Sequence, residues 1–402
     1  MCAVLRSYRI DLSRDCNVFV AHFASMQKKS IQLIYFNAGG GHRSAAAALK
    51  EVIENSEHDW EVTLVNLFEV IDTERYFQKL TGFAPEDLYN LRLKKGWTLG
   101  LATELKVLQA LIRLSHAKLK RKLQKHWRET HPDMVVSLVP NFNKVMWDAL
   151  HQESPSVPYV TVMTDIADHP PHFWIEPDQS QHLICGSARA IEQARSAGYK
   201  DHQLTQTSGM ILRPGFYKTA SFDSAQALRE LGLDPIKPTG LVMFGGNGAN
   251  QMLRIAKDLT DTQLILVCGH NGALATKLEA LAPQAKHVVL GFTSDVDRLM
   301  RLSDFFIGKP GPGSLSEAIH MGLPVITIKN SLTMPQERYN ATWIRENQLG
   351  IVVSSISEIK RAVDTLIQRL PEFQERVARI ENRAVFEVVE ALKKIIDSTP
   401  TN

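Results

Sequence analysis

The residues best suited to chemistry lie in a glycine-rich loop near the start of the chain. The run Gly39-Gly40-Gly41-His42 follows an apolar stretch and precedes an alanine-rich segment with helical periodicity. Glycines let the backbone approach a ligand closely, and the N–H groups at a helix start attract negative charge. A histidine there has a lowered pKa and stays neutral, as a general base requires near pH 7. We therefore predict that His42 deprotonates an acceptor hydroxyl; the structural alternative is a histidine that merely hydrogen-bonds the loop.

Two further glycine-rich turns occur in the second half of the chain. Gly245-Gly246 follows an apolar run, and the segment from Gly308 to Glu317 leads into a helix. Such turns can bind phosphate through their backbone N–H groups. The residues that we expect to bind a nucleotide diphosphate are Gly245, Gly246, Gly311, Gly313 and Ser314. Ser314 and Glu317 also form the S-x-x-E pattern of a helix capping box. Spacing alone does not decide between that box and a role of Glu317 in binding ribose hydroxyls.

Two amides follow the next apolar run. Gln336 and Asn340 are four residues apart, so on a helix they share a face. Amide groups both donate and accept hydrogen bonds, as the recognition of a neutral sugar requires. We predict that this pair contacts sugar hydroxyls.

The elements that must position these residues alternate between short apolar strands and helices. Apolar runs bounded by glycine, proline or aspartate predict strands, and their alternation with helical segments predicts parallel sheets in an α/β protein. The predicted strands are 31–36, 62–66, 134–139, 159–164, 182–185 and 203–207, followed by 240–244, 263–267, 287–290, 304–307, 324–328 and 350–353. Two Rossmann-like domains facing each other across a cleft follow from this count, because such domains bind ligands beyond the carboxyl ends of their strands.

The expected division of the chain has four parts. Residues 1–25 fit no pattern, and Met26 leads directly into the first strand, so 1–25 are expected to be a disordered or wrongly included extension. Residues 26–212 form the first domain and 213–370 the second, with the turn at Pro214-Gly215 between them. Residues 371–402 are helical with no strand after them, and we expect this segment to pack back over the junction.

Residues 70–130 interrupt the alternation and predict an insertion of helices in the first domain. Leucines from Leu101 to Leu123 keep helical spacing beside a group of basic residues between Lys118 and Arg128. A basic amphipathic helix can lie on an anionic bilayer. A core helix with a solvated basic face fits the same pattern about equally well, because apolar stripes on helices usually face a core.

The composition is that of an ordinary globular protein. Of 402 residues, 44% are hydrophobic and 22% charged, which excludes a disordered chain. The net charge is +3, which gives no indication of nucleic-acid binding. The four cysteines are scattered without a metal-binding spacing, as is typical of a reducing cytoplasm. No apolar run approaches the ~20 residues that span a bilayer, so we expect any membrane contact to be peripheral.

At these motifs the chain resembles the family of monogalactosyldiacylglycerol synthases and bacterial processive diacylglycerol glucosyltransferases, with lipid II GlcNAc transferases as distant relatives. The likeness covers roughly residues 30–390. It rests on the loop ending in His42 and on a run from Asp165 through His169 to Trp174. It also rests on the hinge segment from Gly209 to Pro214, the Gly245-Gly246 loop, and the segment from Gly311 to Ala318. Gln336-Glu337 with Asn340 completes the set, in the order that the family has.

The resemblance implies a GT-B fold and inverting transfer of a hexose from a UDP-sugar to a diacylglycerol-type lipid, with neither cofactor nor metal. It implies that His42 is the base, and Asp165 is expected to orient it, to replace it, or only to cap a turn. Glu317 would bind ribose, Phe292 would border the uracil, and Gln336 and Asn340 would face the sugar. The loop residues Gly40, Gly41, His169 and Trp174 are expected on the acceptor side.

The expected partners are a nucleotide-sugar donor, a lipid acceptor and the anionic inner face of the cytoplasmic membrane, without nucleic acid. Two alternatives stay open. One is a UDP-sugar epimerase or hydrolase of the same fold, which would need no lipid. The other is a non-catalytic sensor of nucleotide sugars. The aromatic and basic insertion argues against the first, and the intact His42 and Glu317 argue against the second.

Overall fold

The computed structural model describes residues 28–37, 40–72, 101–218, 223–246 and 248–399. The expected extension 1–25 and residues 73–100 of the expected helical insertion lie outside these ranges. The strands are β1 Lys29–Tyr35, β2 Trp60–Asn66, β3 Met134–Ser137, β4 Tyr159–Val162, β5 His182–Cys185, β6 Leu204–Gln206, β7 Thr239–Met243, β8 Gln263–Val267, β9 His287–Leu290, β10 Phe305–Gly308, β11 Val325–Ile328 and β12 Gly350–Val353. Each predicted strand is therefore present.

Helices connect these strands. They are α1 Gly41–Glu54, α2 Leu67–Ile71, α3 Leu101–Leu114, α4 His116–Thr130, α5 Asn143–Glu153, α6 Ala188–Ser196, α7 Ser224–Glu230, α8 Gln251–Asp258, α9 Gly272–Glu279, α10 Val296–Arg301, α11 Pro312–His320, α12 Arg338–Glu346, α13 Ile359–Gln368, α14 Leu370–Ala378 and α15 Ala384–Ser398. Parallel strands need such crossovers, because each strand must begin again at the same edge of the sheet.

The strands form two parallel sheets. The order is β2-β1-β3-β4-β5-β6 in the first sheet and β12-β11-β10-β7-β8-β9 in the second. Every residue of β3, β7 and β8 is buried, as expected for sheets covered by helices on both faces. In both sheets the direction of winding reverses, between β1 and β3 in the first and between β7 and β10 in the second. Open α/β sheets form their ligand crevice at such a reversal.

The carboxyl-terminal segment returns to the first sheet. It comprises α14 and α15, separated by a short break where one helical segment was predicted. The apolar face of α15 packs on α1, where Val388 and Leu392 share a core with Ala46 and Leu49. The amide of Asn382 also donates to the Met210 carbonyl at 3.0 Å. The predicted packing over the junction is confirmed, and the domain boundaries at residues 212 and 370 stay predictions.

The two helices of the insertion that the structure describes differ in burial, and contact with a bilayer stays a prediction. In α4, Leu123 and Trp127 are buried in the core of the first half, so this is a core helix with a basic outer face. In α3, by contrast, Val107, Leu111 and Leu114 are exposed. Spacing could not distinguish the two helices, because both carry apolar residues at helical intervals.

Candidate functional site

A cavity of about 800 Å³ lies between the two sheets and is lined by residues of both. It opens at the carboxyl ends of the strands that flank each reversal, because the segments after β1, β3, β7 and β10 all contribute to its lining. The predicted site residues that line it are Gly40, Gly41, His42, Asp165, Gly245, Gly246, Phe292, Gly311, Gly313, Ser314, Glu317 and Gln336. Residues nearly 300 positions apart in the sequence therefore meet at one place.

His42 lies in the first turn of α1. Gly40 precedes this helix with φ of 79°, a left-handed conformation that favours glycine. Nδ1 of His42 lies 3.0 Å from the hydroxyl of Thr164. Burial lowers the pKa of His42 to about 4, and the Leu138 carbonyl opposes this shift. The ring is therefore neutral near pH 7, as predicted, but burial rather than the helix terminus is the leading cause.

Asp165 lies near His42, just after β4. Its carboxylate accepts a hydrogen bond from the indole Nε1 of Trp174 at 2.9 Å. Burial raises the pKa of Asp165 to about 7, and the indole hydrogen bond opposes that shift. The ring of Trp174 lies 5.9 Å from that of His42, so it contacts both predicted catalytic groups. Asp165 can therefore exchange a proton near neutral pH.

Trp174 and His169 do not line the cavity, although both were predicted on its acceptor side. Trp174 is fully buried, and Asp168 holds the loop around it. The Asp168 carboxylate accepts hydrogen bonds from the backbone N–H groups of His172 and Trp174. His169 is exposed and precedes a cis peptide bond to Pro170. Trp174 thus holds the Asp165 carboxylate through a hydrogen bond and does not itself line the cavity. Asp168 was not predicted from the sequence, because its role depends on the conformation of this loop.

The opposite wall is built around the start of α11. Gly311 is the N-cap residue and Pro312 opens the helix, so Ser314 lies inside the first turn. Of the two alternatives for Ser314 and Glu317, the structure excludes the capping box, because a box needs its serine at the N-cap position. Glu317 lines the cavity instead. Burial raises the pKa of Glu317, and the nearby charge of Arg213 opposes this.

Phe292 offers a flat apolar surface at one end of the cavity. It follows β9, and 63% of its surface is exposed. Its ring stacks on that of His270, with centroids 4.2 Å apart and an interplanar angle of 13°. An exposed aromatic ring held in this way can stack on a planar base.

Gln336 and Asn340 point in different directions. Gln336 lies in a 3-10 turn, Pro335–Glu337, and lines the cavity. Asn340 lies in α12 and is fully buried; its amide donates to the Pro310 carbonyl at 2.8 Å. The two amides do not share a face towards the cavity, because the chain changes from a 3-10 turn to an α-helix between them. Asn340 instead supports the glycine turn before α11.

Three charged residues that were not predicted as site residues line the cavity: Arg213, Lys309 and Glu337. Lys309 follows β10, and its Nζ lies 2.8 Å from Oε1 of Glu337, which is buried. The signal that could have identified Lys309 is its place directly after a strand and two residues before the glycine turn. The sequence held no such signal for Glu337, although it lies next to the predicted Gln336.

The part of the chain that the structure describes contains no group of three or more histidine, cysteine, aspartate or glutamate side chains placed to hold a metal ion. The expectation of metal-independent chemistry stays a prediction. Cys185 and Cys268 are buried and lie apart in the two halves.

The two halves of the chain match two known families. Residues 42–209 match the family described as monogalactosyldiacylglycerol (MGDG) synthase. Residues 241–396 match the glycosyltransferase family 28 C-terminal domain. Together the two matches include most of the residues that line the cavity.

Individual relatives extend this likeness over most of the chain. A probable MGDG synthase 2 of Oryza sativa subsp. japonica is 26% identical over 91% of this chain and 81% of the relative. MGDG synthase 1 of Arabidopsis thaliana is 27% identical over 83% of this chain and 64% of its own length. The crystal structure of Acinetobacter baumannii MurG superposes with a TM-score of 0.61 over 91% of this chain and 99% of that chain. At 12% identity, that structure supports the two-domain GT-B fold alone.

Proposed function

Because the chain is a glycosyltransferase of the GT-B fold related to the MGDG synthases, we propose that it transfers a hexose from a UDP-sugar to a diacylglycerol-type lipid with inversion. The observation that carries the proposal is one cavity in which His42 and Asp165 face the glycine turns and Glu317. The relatives favour transfer to a lipid over the epimerase and sensor alternatives.

The donor lies along the wall of the second half. The uracil stacks on Phe292, and the ribose hydroxyls donate to the Glu317 carboxylate. The diphosphate meets the N–H groups of Gly245-Gly246 and of the first turn of α11, where in the described structure no side chain occupies the cap. Gln336 contacts the sugar. Asn340 acts indirectly in this arrangement, through the Pro310 carbonyl that it holds.

The reaction moves one proton and one electron pair. The acceptor oxygen attacks the anomeric carbon, and its proton passes to His42. The bond from the anomeric carbon to the β-phosphate oxygen breaks, and its electron pair leaves with UDP. A pKa of about 4 makes His42 a weak base. Bound UDP and ionised Asp165 both carry negative charge, which favours the imidazolium and raises that pKa.

Helix α3 is suited to contact the membrane that contains the acceptor. Its exposed residues Val107, Leu111 and Leu114 are spaced to form one stripe, and the adjacent Leu108 lines the cavity. Lys106 and Arg113 on the same helix are exposed. Apolar residues beside basic ones favour an anionic lipid surface. We propose that α3 contacts an anionic membrane surface, and the inner face of the cytoplasmic membrane stays our expectation from the sequence. Among the described helices, none is both long and apolar enough to cross a bilayer.

The test is incorporation of label from donor to lipid. Purified protein is incubated with radiolabelled UDP-glucose, UDP-galactose or UDP-GlcNAc, with and without vesicles that contain diacylglycerol, and the lipids are separated by chromatography. We expect labelled glycolipid from at least one donor, only with diacylglycerol, and NMR of the product should show an inverted anomeric centre. Conversion of the donor without lipid would support an epimerase or hydrolase instead, and donor binding without turnover would support a sensor.

A further inference from the structure

The cavity contains two positively charged side chains among its described lining residues, Arg213 and Lys309. Arg213 is near Glu317, whose pKa it lowers, and its Nη1 donates to the Ser294 carbonyl at 3.3 Å. It therefore belongs to the ribose end of the cavity. Lys309 lies in another part of the cavity, and the donor arrangement proposed above assigns it no contact.

Lys309 lies between the two glycine turns of the second half. A Cβ built on Gly245 would be 3.6 Å from Cε of Lys309, and one built on Gly311 would be 3.8 Å from its Nζ. Both turns are those proposed to bind the diphosphate through their N–H groups. The ammonium group thus lies where the two phosphate-binding turns approach each other.

A buried carboxylate fixes this position. The Glu337 side chain is 7% exposed and accepts the 2.8 Å hydrogen bond from Lys309, whose own side chain is 36% exposed. A buried carboxylate is costly without a cationic partner, so Glu337 holds the lysine close. Because Lys309 is partly exposed to the cavity and has three donor hydrogens, it can keep this bond and still reach an anion.

The charge of Lys309 also reaches the opposite wall. Lys309 lowers the pKa of Asp165 and Glu337 raises it, while burial remains the larger cause of the upward shift. Lys309 therefore lies close enough to influence both the donor turns and the group beside His42.

We propose that Lys309 neutralises the diphosphate of the donor as the glycosidic bond breaks, and that Glu337 is the positioning residue that holds it there. This inference rests on the proposed function. As the electron pair moves to the β-phosphate oxygen and the acceptor proton passes to His42, UDP gains one negative charge, and the ammonium lies beside that charge. Removing one preorganised donor of this kind costs about 10² to 10³ in kcat.

The experiment compares Lys309→Met with Lys329→Met. The two lysines follow neighbouring parallel strands, β10 and β11, but Lys329 donates to Thr342 and is not among the residues that line the cavity. Transfer from UDP-sugar to diacylglycerol vesicles and calorimetric UDP binding are measured for each. We expect kcat to fall by about 10² to 10³ in Lys309→Met, with weaker UDP binding, and to stay near the wild-type value in Lys329→Met.

Two further variants separate charge from structure. Lys309→Arg keeps the positive charge and should retain more activity than Lys309→Met, and Glu337→Gln should lower kcat by less than Lys309→Met does. Added Mg²⁺ should partly restore Lys309→Met and leave the wild type unchanged. Equal losses in the Arg and Met variants, or a Met variant with wild-type kcat and UDP affinity, would overturn the role of Lys309. A wild-type protein that neither binds UDP nor transfers sugar would instead overturn the proposed function.

Discussion

The two walls of the cavity are built in the same way but carry different chemical groups. The first wall, Gly40 to His42 with Thr164 and Asp165, and the second wall, Gly245-Gly246 with Gly308 to Glu317, each place a glycine turn before a helix at a reversal of the sheet. On the first wall, burial shifts His42 and Asp165 towards their neutral forms. On the second wall, Lys309 keeps a charge that is paired with Glu337. The first wall is thus arranged to exchange a proton, and the second to hold a fixed charge.

The largest expected effect comes from a substitution on the first wall. We expect His42→Ala to lower kcat by about 10² to 10⁴, the range for loss of a general base, without changing UDP affinity. Transfer assays and calorimetry with UDP measure the two quantities. His151→Ala is the control, because His151 stacks on Trp147 and is not among the cavity-lining residues. Wild-type activity in His42→Ala would remove His42 from the mechanism.

The matching change on the second wall is Glu317→Ala. A hydrogen bond to a charged group contributes about 1.5 to 3 kcal/mol, so UDP affinity should fall roughly 10- to 100-fold. The value of kcat at saturating donor should change far less, because the acceptor side is intact. Glu346→Ala, at an exposed position of α12, is the control. A lower kcat with unchanged UDP affinity would contradict the division between the walls.

The dependence of kcat/KM on pH distinguishes the roles of Asp165 and His42 within the first wall. The pKa of Asp165 is raised to about 7 and that of His42 lowered to about 4. Ionised Asp165 favours the imidazolium that forms at His42, so kcat/KM should fall as the pH decreases through about 7. In Asp165→Asn this decrease should disappear, leaving a lower activity that stays level until the pH approaches 4. An unchanged profile in this variant would show that another group titrates.

The smallest effect concerns how the first half approaches lipid. Replacing both Leu111 and Leu114 by serine should weaken binding to anionic vesicles about tenfold, since burying one leucine contributes roughly 1.5 to 3 kcal/mol and these contacts are partial. UDP affinity should not change. Ile236→Ser is the control, because Ile236 is 90% exposed in the second half. Vesicle cosedimentation measures the effect, and equal binding of the three proteins would exclude α3 as the contact.

The sequence predicted the fold well because apolar strands have a short and repetitive signature. The order of six strands, hinge and six strands follows from β-branched runs such as that of β1 and from the glycines and prolines that bound them. Most of the residues that it predicted for the site do line the cavity, since residues just after parallel strands must meet at one edge. It failed for Asn340, because four-residue spacing implies a shared face only within one continuous helix.

The sequence by itself determined the two sheets, the glycine turns and the candidate residues His42 and Glu317 close to those turns. The tertiary structure decided what surrounds each group. Burial sets the pKa of His42, the N-cap at Gly311 leaves Glu317 facing the cavity, and Glu337 holds Lys309 between the two turns. The same distinction holds for α3 and α4, whose spacing is alike but whose burial differs. Local sequence fixes strand and turn propensity, whereas desolvation and charge pairing depend on atoms that are distant in the chain.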